Sequence, residues 1–282
     1  MAEVIGVHGI AQQQRGRHQL LAAWRPALGD GLERASGQKI TLPDLDLAFY
    51  GDVFLPDRNC PSTKTADAES VLDGMSGQEL AELSQVLTEA VADSDIEAAE
   101  QQVTMGYTRV PRPVQVLLRA VDRRFGAAAG VLYLGVLRQV YRYLHDLDVK
   151  ARIDRRVEEG VGERGRVLIG HSLGSVVAYE YLRQHPSSGV ELFISVGSPL
   201  GLRMVRSRLQ VVALSTPNWV TVRDLRDPVA CAGPLCEWWP QINADDELIV
   251  DNDGDAHSVE CYLSKRTVGQ VLLQALPHLT EE

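Results

Sequence analysis

The sequence predicts an α/β fold: a compact, mostly parallel sheet of about six strands flanked by helices, with a large helical insertion. Short runs of apolar and β-branched residues, bounded by turn residues, recur along the chain in the manner of buried parallel strands. Stretches with helical periodicity separate several of them. With 282 residues, 45% of them hydrophobic, the chain can bury one substantial core, so a single domain over 1–282 is expected.

The first strand is Val4-Ile5-Gly6-Val7, closed by His8-Gly9. Leu20 to Ala35 follows as a helix, with Leu21, Trp24, Leu28 and Leu32 at helical spacing, and Leu45 to Tyr50 reads as the second strand. The alternation resumes with Arg166 to Ile169 as strand, Ser175 to Gln184 as helix and Leu192 to Val196 as strand. Trp219 to Arg223 and Leu248 to Val250 are two further strands. Between these blocks, residues 66–163 carry helical patterns and few strand signals; Leu80, Leu83, Val86, Leu87 and Val91 fall at three-and-four spacing. The apolar stretch from Val114 to Leu147 within this insertion either caps a binding cleft or packs on the sheet.

Several function classes are disfavoured. A formal net charge of −10 opposes a polyanionic partner, because nucleic-acid binding relies on clustered Lys and Arg; no nucleic-acid role is expected. The longest nearly uncharged apolar stretch, Gly126 to Leu137, falls short of the ~18 residues that span a bilayer, so no integral membrane segment is expected. The opening Met-Ala-Glu-Val-Ile-Gly lacks the basic start, apolar run and cleavage site of a secretory signal, which points to the cytoplasm. Cys60, Cys231, Cys236 and Cys261 lack zinc-like spacing and read as buried thiols; a Cys231–Cys236 disulfide is the minority alternative, tied to an oxidising compartment. The carboxylate-rich run Asp251 to Asp255 reads as a turn, since a calcium loop would place glycine sixth and glutamate twelfth, where Ala256 and Tyr262 stand. Neither a metal nor a cofactor is expected.

The motif that carries chemistry is Gly170-His171-Ser172-Leu173-Gly174, set directly between a strand and a helix. A sharp strand-to-helix turn lifts the serine hydroxyl above the sheet, and small residues two before and two after it let the two elements approach. Ser172 is therefore the candidate nucleophile. An acyl-transfer transition state also needs amide donors for its oxyanion. The N–H of Leu173, at the start of the following helix, is one candidate; the other is expected from the loop after the first strand.

That loop, Val7-His8-Gly9-Ile10, together with G-H-S-L-G, Gly197-Ser198-Pro199-Leu200-Gly201 and Asp227-Pro228-Val229-Ala230, resembles the bacterial lipases and deacylase-like lipases of the α/β-hydrolase superfamily. The likeness covers about Val4 to Tyr50 and Arg166 to the C-terminus. It implies that Ile10 supplies the second oxyanion amide, with Gln12 as a polar lining residue. The chain opens on the oxyanion strand, without the antiparallel strands that open larger members, and the helical insertion matches nothing in that group.

A serine nucleophile needs an imidazole base, and the base needs a carboxylate that fixes its tautomer. In this fold the chain order is Ser, then Asp or Glu, then His. His257 and His278 follow the later strands; His278 sits at the end of a terminal helix, so His257 is preferred. Asp224 and Asp227 both follow the Trp219 to Arg223 strand. The resemblance favours Asp227, and Pro228 holds Asp227 extended beyond the strand end. The expected activity is a serine esterase or lipase acting on a small-molecule ester or lipid, with transient membrane-surface contact. A non-catalytic ligand-binding module and an acyltransferase are the alternatives.

Overall fold

The computed structural model describes residues 3–9, 16–54, 68–102, 110–163, 165–214 and 218–280. Val4–Val7 (β1), Leu45–Ala48 (β2), Val167–His171 (β3), Leu192–Val196 (β4), Asn218–Asp224 (β5) and Glu247–Val250 (β6) form one sheet in the order β2-β1-β3-β4-β5-β6. Every neighbouring pair is parallel. β1 lies inside the sheet, with Val4 in register with Leu45 on one side and Val167 on the other. All the strands therefore point their C-terminal ends toward one edge, where an open α/β sheet places its ligands.

The helices are Arg17–Ser36 (α1), Ala68–Leu72 (α2), Gly77–Glu89 (α3), Asp93–Glu100 (α4), Arg112–Phe125 (α5), Ala129–His145 (α6), Leu147–Val161 (α7), Leu173–Gln184 (α8), Arg203–Arg206 (α9), Val259–Leu263 (α10) and Arg266–Ala275 (α11). Side chains alternate across a strand, and this alternation divides the core in two. Val4, Val167 and Ile169 face a layer made by Trp24, Leu28 and Leu32 of α1 with Leu263, Val268 and Leu272 of α10 and α11. Ile5, Val7, Leu168 and Phe193 face the opposite layer, with Val136, Ile153, Val157 and Val176 of α6, α7 and α8.

Helices α2 to α7 occupy the described part of the stretch read as an insertion. Buried side chains of α2, α3, α5, α6 and α7 join the same apolar cluster as β1 and β3, whereas Ala99 of α4 packs with Val116 and Ala120 of α5 in a small separate one; α7 packs against β1, β2 and α8. α6 also reaches the loop after β5, where the Tyr133 hydroxyl lies 3.6 Å from Cys231 Sγ. Among the described residues, no helix is long and apolar enough to cross a membrane.

β2 ends at Ala48, two residues before the expected Tyr50. The Tyr50 N–H leaves the ladder and donates to His8 Nε2 at 3.1 Å. α8 begins two residues earlier than expected, at Leu173, directly after the turn.

Candidate active site

His171 ends β3 and Leu173 begins α8, so Ser172 alone makes the turn between them. Its φ of 55° and ψ of −130° lie where an L-residue is strained, at a cost of about 1–3 kcal/mol. Close packing enforces the bend. A Cβ on Gly170 would stand 2.5 Å from Ser175 Cα, and one on Gly174 would strike the Val7 carbonyl oxygen. The first turn of α8 is thus pressed against both β3 and β1, with the Leu173 amide at its N-terminus, the end that favours an anion.

The end of β1 is held by His8. Its Nε2 accepts the Tyr50 N–H, so Nδ1 carries the proton and donates to the Gly9 carbonyl at 2.7 Å. The Tyr50 hydroxyl donates to the His8 carbonyl, and the two rings stack at 4.2 Å. Burial pushes the His8 pKa down to about 4, against the opposing pull of the Gly9 carbonyl and of Asp52. His8 is a neutral strut that keeps Gly9 against the elbow, where a Cβ on Gly9 would stand 2.7 Å from Ser172 Cβ. Ile10, the expected second oxyanion donor, and Gln12 lie outside the described residues.

Asp227 follows β5 and His257 follows β6. The His257 Nδ1–H donates to Asp227 at 2.9 Å (Oδ1) and 2.8 Å (Oδ2). Asp227 is wholly buried and accepts two further bonds, from the Val229 N–H at 2.9 Å and the Tyr262 hydroxyl at 2.8 Å. Asp224 does different work: it accepts the Arg226 N–H at 2.8 Å and the Asn252 N–H at 2.5 Å, tying the end of β5 to the loop after β6. His278 stands far from this cluster in its contacts, half-exposed and 3.3 Å from Glu3.

His171 links the two halves of the site. Its Nε2–H donates to the His257 carbonyl at 2.9 Å, and the two rings lie 4.7 Å apart. Burial, and secondarily the proximity of His257, lowers the His171 pKa well below the usual imidazole range, so this ring stays neutral. The serine of the G-S-P-L-G segment is attached as well. Ser198 Oγ and Ser175 Oγ are 2.7 Å apart, and Ser175 Oγ donates to the Ser172 carbonyl at 2.6 Å.

Two atoms stand out by what they lack. Ser172 Oγ and His257 Nε2 are both buried, and neither has a hydrogen-bond partner. With Nδ1 committed to Asp227, Nε2 is the ring nitrogen left to accept a proton, through the lone pair of a neutral imidazole. The cluster thus combines a buried hydroxyl, a proton acceptor and a carboxylate able to stabilise an imidazolium.

Other chemistries find less support among the described residues. No group of three or more His, Cys, Asp or Glu side chains is arranged to hold a metal ion. Cys231, Cys236 and Cys261 are free thiols, and burial pushes the Cys231 pKa up to about 11, far from an activated nucleophile. Cys60 lies outside the described residues.

Sequence reasoning did not foresee the parts taken by His171 and Tyr262. Their contacts span 86 and 35 residues, and no local motif announces them. No protein-family model matches the chain, and no curated protein or solved structure matches it.

Proposed function

We propose that this chain is a serine hydrolase of the α/β-hydrolase superfamily that cleaves a carboxylic ester or a related acyl bond. The observation that carries the reading is the pair of buried, unpartnered atoms, Ser172 Oγ and His257 Nε2, with the opposite nitrogen of the imidazole committed to Asp227. In this mechanism His257 Nε2 takes the Ser172 proton as Oγ attacks the acyl carbon, and Asp227 stabilises the imidazolium. The oxyanion forms against the Leu173 amide and, by resemblance, that of Ile10; a donor of this kind contributes about 3–4 kcal/mol in the transition state. Collapse returns the proton to the leaving alcohol, and water then releases the acyl group by the same steps.

The lipid version of this reading, a substrate with a long acyl chain, rests on the resemblance to lipases; the apolar side chains of the helical segment are themselves taken up in the core beside the sheet. Incubation with a fluorophosphonate probe tests the chemistry. The expected outcome is covalent labelling that disappears in Ser172→Ala; an unlabelled wild-type protein would favour a ligand-binding role. A p-nitrophenyl ester series tests the acyl preference, and activity no higher on longer chains than on acetate defeats the lipid version.

A further inference from the structure

We propose that Tyr262 is a positioning residue that sets the basicity of His257 by holding Oδ2 of Asp227. The inference rests on the reading of Asp227 and His257 as acid and base. Tyr262 lies on α10, one turn past the loop that carries His257, and its ring is fully buried. Its hydroxyl makes two bonds: it accepts the Asp224 N–H at 2.9 Å and reaches Asp227 Oδ2 at 2.8 Å. A backbone N–H can only donate, so the phenol proton is directed at Asp227. β5, through the amide of its last residue, thereby fixes the direction of a hydrogen bond to the candidate acid.

That direction has a chemical consequence. Each donor on a carboxylate draws off part of its negative charge, and that charge stabilises the imidazolium formed when His257 takes a proton. With Val229 N–H on Oδ1 and Tyr262 O–H on Oδ2, Asp227 offers His257 less charge than an unsupported carboxylate would. Tyr262 therefore holds His257 as a weaker base while fixing Oδ2, the Val229 N–H fixing Oδ1. Other ionisable groups around the pair are His171 at the end of β3, Asp224 at the end of β5, Cys231 in the loop after Asp227 and Tyr133 on α6. His171 is held neutral, and the Asp224 carboxylate is turned to Arg226 and Asn252. Burial and the neighbouring Asp227 carboxylate keep the Tyr262 phenol protonated far above neutral pH.

The test is an NMR titration of the His257 imidazole, assigned by its loss in His257→Gln, in wild type, in Tyr262→Phe and with a ring-fluorinated tyrosine at 262. Removing the donor should raise the His257 midpoint by about one pH unit. The fluorinated phenol, a stronger donor of nearly the same size, should lower it. Should Tyr262→Phe not fold, the fluorinated protein decides alone. Midpoints identical to wild type in every folded variant overturn the proposal. The readout needs no turnover, so it separates from the hydrolase reading: shifted midpoints in a protein that no fluorophosphonate labels support the Tyr262 coupling and defeat the enzyme.

Discussion

At residue 172 chemistry and folding oppose each other. The backbone there has a positive φ that favours glycine, and the hydroxyl is buried without a partner. Ser172→Gly relieves the strain at the expense of glycine's larger conformational entropy in the unfolded chain, whereas Ser172→Ala removes only the hydroxyl. Denaturant midpoints should place the glycine variant about 1 kcal/mol above the alanine variant, the reverse of the usual order. Neither variant should react with a fluorophosphonate. The two neutral histidines predict a second behaviour. His8 and His171 are held below their unfolded pKa, so the unfolded chain binds protons that the folded one refuses. Their contribution to stability is complete above pH ~6.5 and is lost as pH falls toward the folded values. Between pH 7 and 5 the His8 ring should remove about 2 kcal/mol, and His171 should add a loss of the same sign, read as a falling urea midpoint. His171→Phe keeps the ring volume but drops the bond to the His257 carbonyl. It should lower kcat more than it raises KM, while His171→Gln, which retains a donor, should recover part of the loss.

The junction of β3 with α8 is where an element, rather than a residue, carries the site. Gly174 lies against the Val7 and His8 carbonyls, so a single methyl there must separate α8 from β1. Gly174→Ala should destabilise the fold by about 1–3 kcal/mol and slow serine labelling in the molecules that remain folded, as a labelling time course checks. This junction was legible in the sequence, because the G-x-S-x-G spacing and its flanking strand and helix are all local. So were the buried strands, whose continuous apolar runs need no partner to be recognised. The end of β2 was not legible, since the Tyr50 amide is claimed by a side chain 42 residues away. The choice of Asp227 as acid was legible through the resemblance and Pro228, whereas the part of Asp224 was not: it is the last residue of β5, and the Asn252 amide that helps assign it to the scaffold lies 28 residues away. His171 and Tyr262 were hidden for the same reason, their partners being distant in sequence.

The whole molecule is one six-stranded sheet between two helical layers, with β1, β3 and β4 as its buried centre. Native-state hydrogen exchange should find its slowest amides in β1, β3 and β4 and faster ones in β6, whose Ile249 side chain is exposed. The sheet order also sets a timetable. β1 is made first, yet Val167, its neighbour on β3, is about 160 residues further along the chain. At ribosomal speeds of about 5–20 residues per second, Val4–Val7 spends roughly 8–30 seconds outside without that partner. A newborn chain must keep this segment sheltered from wrong pairings for all that time, and any slowing of translation between β2 and β3 lengthens the exposure.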